Sequence, residues 1–237
     1  MNIKKLFFIS LSILFVFLIY LTTVDKKIYY LNIGDSVAMG INSYKITNNG
    51  YDKYIVDYLK VEEKLEKYVN SFNQNNLRIT DLYNMININH EIKIGNHNQT
   101  IKNALIKADM VTLSIGNDDF YQKLNNNYTT NELYNIVDEY KKDMEKLLTL
   151  VRKYCKEDVI MIGYYNPYFL DLNKDKIVSY MNEKMESLAK EYDVIYINTH
   201  NLIGPSEILN PKDYHISNNG YKLISKEIIK KIKKHIL

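Results

Sequence analysis

The sequence predicts an α/β fold: a three-layer sandwich in which a mostly parallel sheet lies between two layers of helices. Three observations predict it. Short apolar runs such as MVTLSI at 110–115 show no polar alternation, as expected of strands buried on both faces. Long amphipathic segments separate these runs, which implies crossover helices on both sides of the sheet. The clearest strands stop at glycine, at positions 34, 116 and 163.

In chain order, IYYLNI at 28–33 is the first strand. A helix follows over 51–65, with Tyr54, Ile55, Tyr58 and Leu59 on one face. A short strand is expected over 66–70, a helix over 79–88 and a short helix over 99–107. Met110–Ile115 is a buried strand ending in the GNDD turn at 116–119. The segment 131–155 keeps Leu133, Ile136, Val137, Tyr140, Met144, Leu147, Leu148 and Val151 on one face, with Thr130 or Asn131 as its cap. A third buried strand starts at 158 and ends at Gly163, a helix covers 174–190, a strand 193–198, and a closing helix 218–234. No internal repeat, linker or second globular domain is evident.

The 237 residues carry a formal net charge of only +3, with acids and bases interspersed. The basic tail at 226–237 reads as the amphipathic end of the last helix, so no nucleic-acid partner is expected. One cysteine, Cys155, precludes an internal disulfide, and no spaced Cys/His set suggests zinc. Lys4 and Lys5 precede sixteen uncharged residues, LFFISLSILFVFLIYL at 6–21. No small-x-small cleavage site follows. Residues 1–27 are therefore expected to be an uncleaved signal anchor, with the domain of residues 28–237 outside the cytoplasm; cleavage would instead release it as a secreted protein.

Ligands of open parallel sheets bind beyond the carboxyl ends of the strands. Ser36 follows the first strand there, Asn117 and Asp118 follow Gly116, and Asp213 and His215 precede the last helix. A serine, a histidine and a carboxylate from distant segments can meet at one edge to make a nucleophile, a base and an orienter. Backbone N–H groups near Ser36 would face a developing oxyanion. The glycine spacing of GDSVAMG fits neither a dinucleotide turn nor a phosphate loop.

These blocks resemble the GDSL/SGNH hydrolase family of esterases and lipases. IGDSVAMG at 33–40 is similar to its first block, VTLSIGNDDF at 111–120 to its third, and DYHISNNGYKLIS at 213–225 to its last. The resemblance implies a sheet of about five strands with flavodoxin-like layering. It also implies hydrolysis of acyl or acetyl esters with no metal or organic cofactor. It makes Ser36 the nucleophile and, through its N–H, an oxyanion donor, and His215 the base.

Three departures stand out. The family's second block carries a glycine, but residues 69–86 contain none. Asn75, Asn76 or Leu77 could supply the N–H, and Asn76 is taken here because asparagine best tolerates the backbone that glycine adopts. The third block is normally Gly-x-Asn-Asp, with the asparagine as oxyanion donor. Ungapped, Asp118 falls at that position; a one-residue shift brings Asn117 there, which is the expectation adopted on chemical grounds. In the last block the aspartate stands two residues before His215 rather than three, and Asp213 is taken as orienter. The expected substrate is a lipid or an ester of a cell-envelope glycan, within reach of the anchor at the membrane. The alternative is a catalytically lapsed binding module on the same scaffold.

Overall fold

The computed structural model describes residues 26–47, 49–95, 97–210 and 213–235. The predicted anchor falls outside them, apart from Lys26 and Lys27. Among the described residues no helix is long and apolar enough to cross a membrane.

Five strands form the sheet: β1 (Ile28–Gly34), β2 (Leu65–Val69), β5 (Met110–Ser114), β6 (Asp158–Ile162) and β7 (Ile195–Ile197). Their order is β2-β1-β5-β6-β7, and every pairing is parallel. All of β1 and β5 is buried, which explains why neither alternates in polarity. One helical layer holds α1 (Tyr51–Val61) against α7 (Asn218–His235). The other packs α5 (Thr130–Tyr154) against α2 (Ile79–Asn87), α3 (Ile101–Lys107) and α6 (Leu172–Glu191). The three-layer α/β/α sandwich with its parallel five-stranded sheet is therefore as the sequence predicts.

Four local differences have physical causes. Residues 91–100 form a hairpin, β3 (Glu91–Ile94) with β4 (His97–Thr100), around a Gly-containing turn. The helix expected from 99 begins at Ile101 because the Thr100 hydroxyl caps it, accepting from Asn103 N–H at 3.3 Å. The long α5 is capped by Thr129, not Thr130 or Asn131. Thr129 and Glu132 form a reciprocal capping box. Finally, 117–124 is not a turn but a helix, α4 (Asn117–Leu124), entered through Gly116 at φ +84°. Asp118 and Asp119 in its first turn complement the helix dipole.

Candidate active site

Strand register sets the geometry. Gly34 at the end of β1 stands opposite Ser114 of β5, and Asp35 N–H reaches the Ser114 carbonyl at 2.9 Å. A Cβ at Gly34 would lie 1.6 Å from that carbonyl oxygen, at φ +150°. Only glycine lets the two strands close here. The chain then turns, with Met39 N–H bonded to Asp35 O at 3.0 Å, and Ser36 stands inside the turn, fully buried.

A single carboxylate occupies the space in front of Ser36. Asp118 Oδ1 accepts the Ser36 hydroxyl at 2.5 Å. Asp118 Oδ2 accepts two backbone donors, Ser36 N–H at 3.3 Å and Asn76 N–H at 3.0 Å. Asn76 holds φ +57°, in the left-handed region that asparagine tolerates better than most residues. Its side-chain oxygen accepts from Gln122 Nε2 at 3.3 Å, tying the loop to α4.

His215 approaches from the other side, on the loop before α7. Its Nδ1 lies 2.5 Å from Asp213 Oδ1, which also accepts the His215 backbone N–H at 2.9 Å. Spacing of two residues thus suffices to orient the ring, because the carboxylate folds back on its own loop. With the proton of the neutral ring held at Nδ1, Nε2 keeps its lone pair. Nε2 is buried without a hydrogen-bond partner, 3.8 Å from Asp118 Oδ1. The Tyr214 ring stacks on the imidazole at 4.6 Å, and Ser43 Oγ donates to the His215 carbonyl at 2.6 Å.

Ser36, Asn76, Asp213 and His215 are thus brought together, but Asn117 is not. Asn117 Nδ2 donates to Ser114 Oγ at 3.3 Å, and its Oδ1 accepts from the Tyr121 hydroxyl at 3.2 Å. Asn117, expected in front of Ser36, turns away from it, and Asp118 stands there instead. Because the helix begins at Asn117, the next residue is rotated by roughly 100° and points to Ser36.

Sequence reasoning assigned no role to Asp35. Its Oδ2 accepts Asn117 N–H at 2.7 Å and its Oδ1 accepts Val37 N–H at 3.1 Å, so it locks the two turns together. Burial pushes its carboxyl well above the usual carboxylate range, and the nearby Asp118 charge adds to the shift. A buried acid between the last strand residue and Ser36 was the available signal. Tyr164 and Tyr165 are buried, and their hydroxyls donate to the carbonyls of Ile115 and Tyr214 at 2.8 and 2.9 Å. The next residues, Pro167–Lys174, line a groove of about 650 Å³ with Ile208. Leu170 and Leu172 are largely exposed there. Cys155 is buried far down the sheet, where burial raises its thiol pKa.

A catalytic-triad-like arrangement of serine, aspartate and histidine at the carboxyl edge of a parallel sheet is that of a serine hydrolase acting on carboxylic esters. Residues 30–228 match the profile of the GDSL-like lipase/acylhydrolase family, and the chain belongs to that family. Among curated proteins it is similar to the uncharacterized protein YpmR of Bacillus subtilis (strain 168). The two are 22% identical over 227 residues, covering 90% of this chain and 84% of that one. Two solved structures share the fold. The lipase Lip_vut3 from a goat rumen metagenome is 19% identical, with a TM-score of 0.71, over 85% of this chain and 95% of its own. The acetylxylan esterase Axe2 from Geobacillus stearothermophilus is 18% identical, with a TM-score of 0.64, over 88% and 95%.

Proposed function

We propose that the protein is an acyl-ester hydrolase held at the outer face of the cytoplasmic membrane by residues 6–21. Ser36 is the nucleophile, His215 the general base and Asp213 its orienter. Ser36 N–H and Asn76 N–H form the backbone part of the oxyanion hole. One observation carries this reading: those two N–H groups converge on one anionic oxygen, Asp118 Oδ2, beside the Ser36 hydroxyl. Donors aimed at an anion next to a nucleophile are what a tetrahedral intermediate requires.

Ser36 Oγ attacks the ester carbonyl and gives its proton to His215 Nε2. Collapse expels the alcohol, which takes that proton, and water repeats the cycle on the acyl-enzyme. The acyl chain extends into the Pro167–Lys174 groove. Tyr168 supports that direction, since it lines the groove and its hydroxyl donates to the carbonyl of Tyr121, whose ring packs on Tyr214 beside His215. Exposed Phe169, Leu170 and Leu172 favour a lipid ester over a short acetyl group on a glycan.

A lapsed binding module is the second reading, favoured by the Asp118 carboxylate standing where substrate oxygen would go. Hydrolysis of p-nitrophenyl acetate, butyrate and octanoate by the full chain in detergent separates the two. Turnover lost in Ser36→Ala and highest for octanoate is expected. No Ser36-dependent turnover at any chain length from pH 5 to 9 would favour the binding module. Leu170→Asp is expected to lower octanoate turnover several-fold relative to acetate.

A further inference from the structure

Resting on the hydrolase reading above, we propose that Asp118 is a catalytic residue, the third oxyanion donor, and works only in its protonated form, with one proton shared between Asp118 and His215. Two observations and the chemistry of the carboxyl group carry it. The carboxylate already takes both backbone donors of the hole and the Ser36 hydroxyl, at 3.3, 3.0 and 2.5 Å. As an anion it is therefore an internal copy of the oxyanion and blocks Ser36, which is fully buried behind it. A substrate oxyanion beside a charged Asp118 would set two negative charges on the same pair of N–H groups, which a buried site resists. A neutral carboxylic acid has the shape of asparagine and carries one O–H donor, so it serves the oxyanion as an amide would. A protonated aspartate in an apolar oxyanion hole is a known chemical solution.

The groups around Asp118 come from several elements. Asp35 is a second buried carboxylate near it; burial, followed by the Asp118 charge, raises the Asp35 pKa. The phenols of Tyr165, Tyr214 and Tyr221 lie near it on the loop after β6, the His215 loop and α7, and burial raises their pKa values, so they stay neutral. The cation that faces it is His215, when protonated, at 3.8 Å, with Asp213 behind the ring.

The working microstate has the proton on Asp118 and the lone pair on His215 Nε2. On attack, the Ser36 proton moves to His215 and the carbonyl π pair moves to oxygen. The Asp118 proton stays on Asp118 and only hydrogen-bonds the new oxyanion. Loss of the shared proton at high pH restores the block, and a second proton at low pH removes the base. Rate therefore follows a bell whose limbs belong to the pair.

The test compares the full-length protein with Asp118→Asn and Asp118→Ala. The readouts are p-nitrophenyl butyrate hydrolysis and Ser36 labelling by an alkyl fluorophosphonate, from pH 5 to 9. In labelling, the serine oxygen displaces fluoride from phosphorus and its proton goes to His215. The Asn variant is expected to react at least tenfold faster at pH 8 and to lose the alkaline limb, keeping only the acid limb. The Ala variant lacks the charge and the donor, and is expected to fall about a hundredfold below Asn. Thermal melts confirm that each variant is folded.

A wild type without an alkaline limb overturns the proposal, even if Asn is faster, because the carboxylate then merely swings aside. An Asn variant slower at every pH overturns it too. Ser36 unlabelled in both wild type and Asp118→Asn overturns it together with the hydrolase reading. Equal labelling of the two overturns the shared proton and leaves that reading intact.

Discussion

Two turns stand side by side at the carboxyl edge of the sheet, and they carry their chemistry differently. The turn after β1 works through its backbone: Gly34 lets the strands close and Ser36 N–H faces the anion. The turn after β5 works through a side chain, Asp118, which reaches the same point. A backbone donor survives sequence change, since every residue except proline has an N–H. Asn76 illustrates this, giving its N–H at 3.0 Å from a loop that has no glycine. A side-chain donor survives only conditionally, because a carboxylate in place of an amide inverts the interaction unless it carries a proton.

The contrast is broken most severely at Ser36. Ser36→Ala is expected to lower kcat for p-nitrophenyl butyrate by about four orders of magnitude or more, with the fold intact by circular dichroism. Residual turnover within tenfold of wild type would place the nucleophile elsewhere. Next comes the base: Asp213→Asn leaves His215 Nδ1 without its 2.5 Å carboxylate partner. A loss of roughly a thousandfold in kcat is expected, with KM little changed, because the wrong tautomer is then favoured. A KM effect alone would make Asp213 a substrate-binding residue.

The two glycines sharpen the contrast on stability. Gly34→Ala drives a Cβ to 1.6 Å from a backbone oxygen that the sheet fixes in place. A loss of about 3 kcal/mol or more is expected in urea unfolding. Gly116→Ala meets instead the flexible Ile79 side chain at 3.0 Å, at φ +84°. There the cost is about 1–2 kcal/mol, mainly that of a left-handed alanine. Equal losses at both positions would mean that strand closure at Gly34 tolerates more movement than the register implies.

The same division explains what was legible in the sequence. Layers, strand order along the chain and the carboxyl-edge site followed from apolar runs and helical periodicity, which burial dictates directly. Ser36 was readable because it stands directly after β1, and Asp213 and His215 because they stand just before α7. Asn76 was readable as a chemical substitute for glycine. The choice between Asn117 and Asp118 was not, because it turns on where α4 begins. A one-residue change in the helix start rotates a different side chain toward Ser36, and GNDD suits a turn as well as a helix start. The 91–100 hairpin was missed because its four-residue strands expose too little apolar alternation. Asp35 was missed because only the approach of two distant turns gives it partners.

Asp35 joins the two turns, and it gives the smallest and most specific prediction. Its carboxyl is fully buried, and burial, followed by the Asp118 charge, raises its pKa in the folded protein. The unfolded value is near the ordinary one for aspartate, about 3.9. The folded state therefore holds the proton more tightly than the unfolded state. The stabilising contribution is fully present below the unfolded value and is lost as pH rises through the folded one. Asp35→Asn removes this titration while keeping one acceptor for the N–H groups of Asn117 and Val37. At acid pH the variant is expected to be less stable by about 1 kcal/mol, from the weakened acceptance. As pH rises the difference shrinks, and it reverses if the folded carboxylate ionises while still buried. Urea midpoints of both proteins from pH 4 to 8, subtracted at each pH, isolate Asp35 and the groups coupled to it. A difference that stays constant with pH would mean that Asp35 is ionised alike in both states. The two turns would then be joined by a charged carboxylate, whose own desolvation the two backbone donors offset.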